Sequence, residues 1–188
     1  MSAAFLLDAP RPVRVIGVDP GTTHIGLCVS EVQDDGLHVI DAYTVHTDTL
    51  VRRHYMEVAE RYGERYALIA AGVDAIVKYI RTWSPGLVAY ESPYLGRHPQ
   101  AFGSGVEIMT MVAEAIRRAD PFLVFLTLDP SSVKKSIGVN GKSGDKSLMA
   151  LGIKRSPHLT LGIDTDALDE HAVDSIAVGL AVFRNLIK

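Results

Sequence analysis

Short apolar runs rich in β-branched residues dominate the first quarter of the chain and predict strands. Val13–Val18 is such a run, closed by an Asp-Pro-Gly turn, and it predicts a buried strand. Gly26–Val32 predicts a second strand and Leu37–Thr47 a third, with the turn residues Asp34–Gly36 between them. Strands joined by so short a turn pair antiparallel. The opening segment therefore predicts a three-stranded antiparallel meander.

After the meander, apolar residues recur three, four or seven positions apart, which is typical of helices. These helical segments alternate with two further apolar runs that predict strands. The predicted elements are a helix over Thr49–Trp83, a strand over Gly86–Glu91, a helix over Gln100–Ala119, a strand over Phe122–Leu128, short helices over Ser131–Ile137 and Asp145–Leu151, and a final helix over Asp166–Ile187. The glycine-rich segment 138–144 is predicted to be a loop.

A meander followed by alternating helices and strands predicts an α/β fold, with one mixed sheet of five strands and helices on both faces. The 188 residues contain no internal repeat, low-complexity tract or linker, so we expect a single domain over 1–188. Hydrophobic residues make up 47% of the chain and charged residues 22%, which is enough to bury a sizeable core. Residues 1–12, ahead of the first strand, are an N-terminal extension.

Cysteine usage and hydropathy favour a cytoplasmic protein. The single cysteine, Cys28, lies in an apolar run and is expected to be a small core residue; one cysteine cannot form an intramolecular disulfide. No apolar run approaches the roughly 20 residues that cross a membrane, so no membrane partner is expected. The N-terminus has a short apolar stretch broken by Asp8 and no basic segment before it, which makes a poor signal peptide.

Charge is unevenly distributed, although the net charge is only −3. The segment Ser131–Ser156 contains a single acid, Asp145, and six basic residues, which are Lys134, Lys135, Lys142, Lys146, Lys154 and Arg155. Acids cluster instead between Asp164 and Asp174. A basic surface beside an acidic pocket suits an enzyme that holds a phosphate backbone and cuts it. A solvated helical face would have the same composition.

Four side chains with metal-binding chemistry occupy positions that such a fold can bring together. Asp19 and Glu91 each end a predicted strand, and His171 and Asp174 are three residues apart on one face of the final helix. If that helix crosses the ends of two neighbouring strands, three carboxylates and an imidazole converge. Ligands of this kind suit Mg²⁺ or Mn²⁺, and a paired site suits phosphodiester hydrolysis.

The loop Asp19–His24, with the sequence Asp-Pro-Gly-Thr-Thr-His, has more than one interpretation. It resembles the first phosphate loop of actin-like and sugar-kinase ATPases, in which Thr22 and Thr23 would offer hydroxyls to phosphate. It also resembles the opening motif of RNase H-like nucleases, in which the aspartate binds metal. A plain turn capped by an aspartate is the third interpretation. A chain of 188 residues cannot hold both lobes of an actin-like protein.

Four stretches, in the family's order, resemble the RuvC-type Holliday-junction resolvases of the RNase H-like superfamily. They are Ile16–Gly21, Val88–Glu91, Asp129–Lys146 and His171–Ala177, and the resemblance covers the chain from about residue 13 to 184. The third stretch is the most specific, because its Val-Lys-Lys helix, glycine-rich connection and Asp-Lys pair are hard to explain as part of an ATPase. The long segment Thr49–Trp83 and the N-terminal extension depart from the family, as they do in phage-type members.

The resemblance also implies roles for individual residues. The implied ligands of two Mg²⁺ or Mn²⁺ ions per active site are Asp19, Glu91, His171 and Asp174. The implied DNA contacts are Tyr94, Arg97, Lys134, Lys135, Lys142 and Lys146. Among them, Tyr94 would stack at the centre of the junction and Lys146 would hold the scissile phosphate, so that Lys146 is also counted with the catalytic residues.

The implied activity is metal-dependent, structure-selective DNA cleavage. Paired symmetric hydrolysis of a four-way junction, and of other branched DNA, would leave 5′-phosphate and 3′-hydroxyl ends. Since such a junction is nearly two-fold symmetric, a homodimer is expected. The helix Gln100–Ala119 is the expected contact between the two copies. The alternative is that the apolar stripe of this helix is buried within the monomer. Two alternatives stay open: a junction-binding protein without cleavage, and an RNase H-like nuclease that acts on RNA.

Overall fold

A six-stranded mixed sheet forms the centre of the fold, seen in a computed structural model that describes residues 13–94, 99–140 and 147–186. The strands are β1 Arg14–Asp19, β2 His24–Val32, β3 Leu37–His46, β4 Leu87–Glu91, β5 Val124–Leu128 and β6 Leu159–Leu161. They lie in the order β5-β4-β1-β2-β3-β6. β1, β2 and β3 pair antiparallel, whereas β4 pairs parallel with β1 and β5 parallel with β4. The predicted meander and mixed sheet are therefore confirmed.

The sheet has one strand more than predicted. β6 runs parallel to the first three residues of β3, with Leu159 opposite Leu37 and Leu161 opposite Val39. The prediction of five strands was wrong because β6 is only three residues long. A segment of that length is too short for alternation of apolar and polar residues to be recognised.

Seven helices lie within the described residues. They are α1 Thr47–His54, α2 Met56–Tyr62, α3 Glu64–Trp83, α4 Pro99–Ala119, α5 Pro130–Ser136, α6 Ser147–Arg155 and α7 Glu170–Leu186, and a 3₁₀ turn spans Thr165–Ala167. The single helix predicted over Thr49–Trp83 is thus three helices. Gly63 separates the second from the third at φ 90°, a conformation that costs glycine little. None of the helices within these ranges combines the length and the apolar character that crossing a membrane requires.

Helices cover both faces of the sheet, as predicted. On one face α5, α6 and α7 enclose a core that contains Cys28, which is fully buried as expected. On the other face α3 and α4 pack against Ile16, Val18 and Tyr90. Because successive residues of a strand point to opposite faces, this second core determines which way the residues after Val18 and Tyr90 point.

Two glycines let α7 approach the sheet more closely than any larger residue would allow. A Cβ atom on Gly17 would lie 2.1 Å from the carbonyl oxygen of Ser175, and one on Gly26 would lie 1.9 Å from that of His171. Both separations are far shorter than van der Waals contact. The backbone of α7 therefore packs directly on β1 and β2, and its first turn lies at the edge of the sheet where β1 ends.

Candidate functional site

Two carboxylates lie side by side at the ends of parallel strands. Val18 of β1 is paired with Tyr90 of β4, so the next residues, Asp19 and Glu91, end their strands at the same edge of the sheet. Val18 and Tyr90 belong to the core beneath α3 and α4, and alternation turns Asp19 and Glu91 toward the opposite face, where α7 packs. The structure thus brings together the two acids predicted from the strand ends.

α7 adds an imidazole to these carboxylates. The Nδ1 atom of His171, in the first turn of the helix, lies 2.9 Å from Oδ2 of Asp19, and the side chains are 30% and 13% exposed. Asp169 caps this helix by accepting a hydrogen bond of 3.0 Å from the backbone N–H of Ala172, and it also accepts one from the hydroxyl of Thr44 on β3. The cap and the close approach at Gly26 hold His171 over the end of β1.

Like charges crowd Glu91. Burial is the largest cause that raises its pKa, to about 8, and the neighbouring carboxylates of Asp19 and Asp174 raise it further. Lys134 of α5 acts in the opposite direction. The charges of Asp174 and Lys134 therefore both act on Glu91. The pKa of His171 is also raised, chiefly by its hydrogen bond with Asp19 and against the effect of burial.

This donor set has the chemistry of a site for a hard divalent cation. Carboxylate oxygens and an imidazole nitrogen suit Mg²⁺ or Mn²⁺. A cation would relieve the repulsion between carboxylates that adds to burial in raising the pKa of Glu91. Within residues 13–94, 99–140 and 147–186, however, no three His, Cys, Asp or Glu side chains form a closed group of metal ligands. Instead, the side chains of Asp19 and His171 form a hydrogen bond with each other.

A pocket of about 280 Å³ opens beside Asp19 and Glu91. Tyr94, which is 74% exposed, lines it together with residues of α4 and the first residue of α5. A larger cavity of about 730 Å³ lies between β3, α1 and α3, and it is lined by none of the four predicted metal ligands. We associate the chemistry with the smaller pocket, because that is where the acids converge.

The predicted basic residues are distributed unevenly. On α5, Lys134 is half-buried near Glu91 and Lys135 is exposed. Lys154 of α6 forms an ion pair with Asp166, so its charge is partly neutralised and it adds less to the predicted basic surface. Arg97, Lys142 and Lys146, the other predicted DNA contacts, lie outside the described residues.

His24, the first residue of β2, makes a contact that the sequence did not predict. The ring of His24 is stacked against that of His171, with centroids 5.4 Å apart and planes 10° apart. The hydroxyl of Thr23, which the sequence suggested for phosphate or water, instead lies 3.0 Å from Nδ1 of His24. A histidine in the loop of the first metal ligand was the available signal, but nothing in the sequence pairs it with His171.

Comparison with known proteins finds relatives that are similar in sequence and in fold. No family model matches the chain. The RuvC crossover junction endodeoxyribonuclease of Nocardia farcinica is 29% identical over 168 residues, which cover 89% of this chain and 79% of the relative. RuvC of Synechococcus is 26% identical over 172 residues, covering 89% of this chain and 96% of the relative. A solved structure of T. thermophilus RuvC in complex with a Holliday junction substrate superposes with a TM-score of 0.68 at 24% identity, covering 93% of this chain and 96% of that one.

These likenesses are to one group of proteins, in sequence over nearly nine-tenths of the chain and in fold over slightly more. The mixed sheet with helices on both faces matches the RNase H-like fold predicted from the motifs. In sequence and in fold, the chain is therefore similar to the RuvC-type Holliday-junction resolvases.

Proposed function

We propose that this protein is a metal-dependent, structure-selective DNA endonuclease that resolves Holliday junctions. The observation that carries the proposal is the meeting of Asp19, Glu91 and His171 at one edge of an RNase H-like sheet. Relatives that share this fold are crossover junction endodeoxyribonucleases by name, and one was solved with a Holliday junction. The same site would act on other branched DNA whose strands can reach it.

The proposed metal ligands are Asp19, Glu91, His171 and Asp174. When bound, two Mg²⁺ or Mn²⁺ ions would neutralise the scissile phosphate and lower the pKa of a water molecule for in-line attack. Asp19 interacts with two of the other donors, since it contacts His171 and raises the pKa of Glu91, and its carboxylate would help to hold the metal. The products would be a 5′-phosphate and a 3′-hydroxyl.

The protein's own residues would orient the DNA. Lys134 of α5, whose charge acts on Glu91, and the exposed Lys135 would bind backbone phosphates. Lys142, Lys146 and Arg97 would add to them from segments outside the described residues. Lys146 would hold the phosphate that is cut. Because each such contact releases counterions, affinity for DNA should fall as salt rises. Tyr94, exposed in the pocket, would stack on a base at the centre of the junction.

Two symmetric cuts would require a homodimer. The apolar stripe of α4 is partly used within the monomer, since Ile108, Val112 and Ile116 are buried. Beside α4, however, Tyr62 and Tyr66 expose 68% and 45% of their surface and border a groove that also contains Val106 and Met111 of α4. We infer that a second copy contacts this side of α4.

The test is a cleavage assay on labelled four-way, three-way, flap and linear duplex DNA, and on an RNA–DNA hybrid, with Mg²⁺ or Mn²⁺. Preferential paired cutting of the four-way junction is expected. Binding of junctions without cutting by the native protein would support a binding protein instead, and a preference for the hybrid would support a nuclease acting on RNA.

The matched control variant is Asp19→Asn. The amide keeps the shape of the side chain but loses its charge, so cleavage should fall on the order of 100-fold or more. Junction affinity, measured by a mobility shift without metal, should be retained because basic residues outside the site carry it. Cleavage by this variant close to that of the native protein would refute the metal-site assignment.

A further inference from the structure

His24 forms a contact with the candidate site that is not explained by metal binding or by DNA contact. Its ring lies parallel to that of His171, with a centroid separation of 5.4 Å and an angle of 10° between the planes. Parallel-displaced rings at 4.5–7 Å attract each other beyond their buried area. His24 therefore contacts the face of the one imidazole in the proposed metal site.

The other contacts of the His171 side chain leave the plane of its imidazole ring unfixed. Its edge contacts are the hydrogen bond from Nδ1 to Asp19, at 2.9 Å, and the approach of Nε2 to Oε1 of Glu170, at 3.8 Å. Both contacts are made by ring nitrogens, and they do not fix the plane of the ring. The χ2 torsion of histidine has broad minima, so the imidazole of His171 can rotate about χ2 while it keeps its contacts at the ring nitrogens. A neighbouring ring on its face restricts this rotation.

His24 is itself held firmly. It is paired across β2 and β3 with His46, whose ring meets it edge-on with centroids 4.9 Å apart. The hydroxyl of Thr23 lies 3.0 Å from its Nδ1 atom, and the carbonyl of Thr23 accepts a 3.0 Å hydrogen bond from the N–H of the fully buried Thr47. A ring fixed by the sheet thus supports a ring carried by α7.

We propose that His24 is a positioning residue that holds the imidazole plane of His171 in the orientation needed to bind a metal ion. This inference rests on the proposed function, since it assigns His171 as a ligand. The aromatic face of His24 performs the role, and the nitrogen atoms of His24 do not. In this role His24 would act through His171 and would not itself bind the metal or the phosphate.

The first test compares His24→Ala with His24→Phe. Loss of the ring face should raise the Mn²⁺ concentration for half-maximal junction cleavage by roughly two- to tenfold, the equivalent of one ring contact. The rate at saturating Mn²⁺ and the KM for the junction should stay close to native values. His24→Phe should restore the native metal dependence. His54→Ala, which removes an exposed imidazole at the end of α1, is the matched control.

The second test does not depend on cleavage. In metal-free protein, the ring protons of His171, assigned by NMR, should shift and broaden in His24→Ala and keep a ring-current shift in His24→Phe. Melting temperature separates this effect from unfolding, and His24→Phe tests the idea even if the alanine variant folds poorly.

Different outcomes reject different claims. If His24→Phe behaves like His24→Ala, or if neither changes the His171 resonances or the metal dependence, the positioning role is wrong. If the native protein cuts no branched DNA, the proposed function fails, while the NMR measurement still decides whether His24 orients His171.

Discussion

At the scale of single residues, we expect a half-buried carboxyl beside other carboxylates to make the stability of the protein depend on pH. The pKa of Glu91 is raised from its ordinary value of 4.5 to about 8, so the folded protein holds a proton that the unfolded chain releases. Its stabilising contribution is complete below about pH 4.5 and is lost as pH rises through about 8. His171, whose pKa is also raised, acts in the same direction.

We therefore expect the free energy of unfolding of the metal-free protein to fall as pH rises across this range. Glu91→Gln should remove much of the decrease, because the amide carries no proton to lose. Urea unfolding in the presence of a chelator, at several pH values from about 5 to 9, measures both slopes. Equal slopes for the native protein and the variant would show that Glu91 does not bear the raised pKa.

Tyr94 also acts at the residue scale, since its side chain is exposed beside Asp19 and Glu91. Tyr94→Ala should weaken the cutting of junctions whose centre must be opened, because a stacked aromatic offsets lost base stacking by about 1–3 kcal/mol. Junctions already unpaired at the centre should be cut at nearly the native rate. The measurement is cleavage of the two substrates in parallel.

The opposite pattern would assign Tyr94 a packing role. In that case the melting temperature of Tyr94→Ala would fall, and cleavage of paired and unpaired junctions would decrease alike. The high exposure of Tyr94, 74%, is the physical reason for expecting the first pattern.

At the scale of elements, the position of α7 decides whether the site exists. Gly26→Ala would place a methyl group 1.9 Å from the carbonyl oxygen of His171, so the first turn of α7 must move. We expect a stability loss of about 1–3 kcal/mol and a larger proportional loss of cleavage, since His171 moves away from Asp19. Thermal melts and cleavage rates measure the two effects.

Gly103→Ala is the control for this change, because a Cβ atom at Gly103 of α4 meets nothing within 4 Å. Alanine is favoured over glycine in a helix by up to about 1 kcal/mol, so this variant should be as stable as the native protein or more so. If both variants behaved alike, close packing of α7 on β2 would not be what positions His171.

The number of helices between β3 and β4 differs from the number that the spacing of apolar residues predicted. Apolar spacing over Thr49–Trp83 predicted one helix, and the structure has three, divided at Tyr55 and at Gly63. Periodicity reports which side of a segment is buried, and it does not report whether the backbone hydrogen bonds continue. Gly63 was the available signal for one break, since glycine so often ends helices.

At the scale of the whole molecule, the proposed dimer predicts how cuts are coupled. Mixed dimers of native and Asp19→Asn chains would hold one working site each. On a plasmid with an extruded four-way junction, native dimers should linearise the DNA, whereas mixed dimers should mainly nick it. Gel analysis of a mixing series measures the ratio of the two products. Linear product from mixed dimers in the native proportion would mean that one site makes both cuts.

Local sequence patterns were enough to predict the strands of the meander, the helices on both faces and the acids at the ends of β1 and β4. They were enough because burial imposes period two on strands and about 3.6 on helices, and because Asp19 and Glu91 directly follow apolar runs. The spacing of His171 and Asp174 placed both on one helix face for the same local reason. All of these are properties of neighbouring residues.

Which of these groups touch depends on how distant elements pack together. The contact of His171 with Asp19 joins residues 152 positions apart, and it depends on the strand order and on glycines that let α7 lie against the sheet. The raised pKa of Glu91, the stacking of His24 and the addition of β6 have the same origin. Each is a contact between separate elements, and local periodicity contains no information about how separate elements pack.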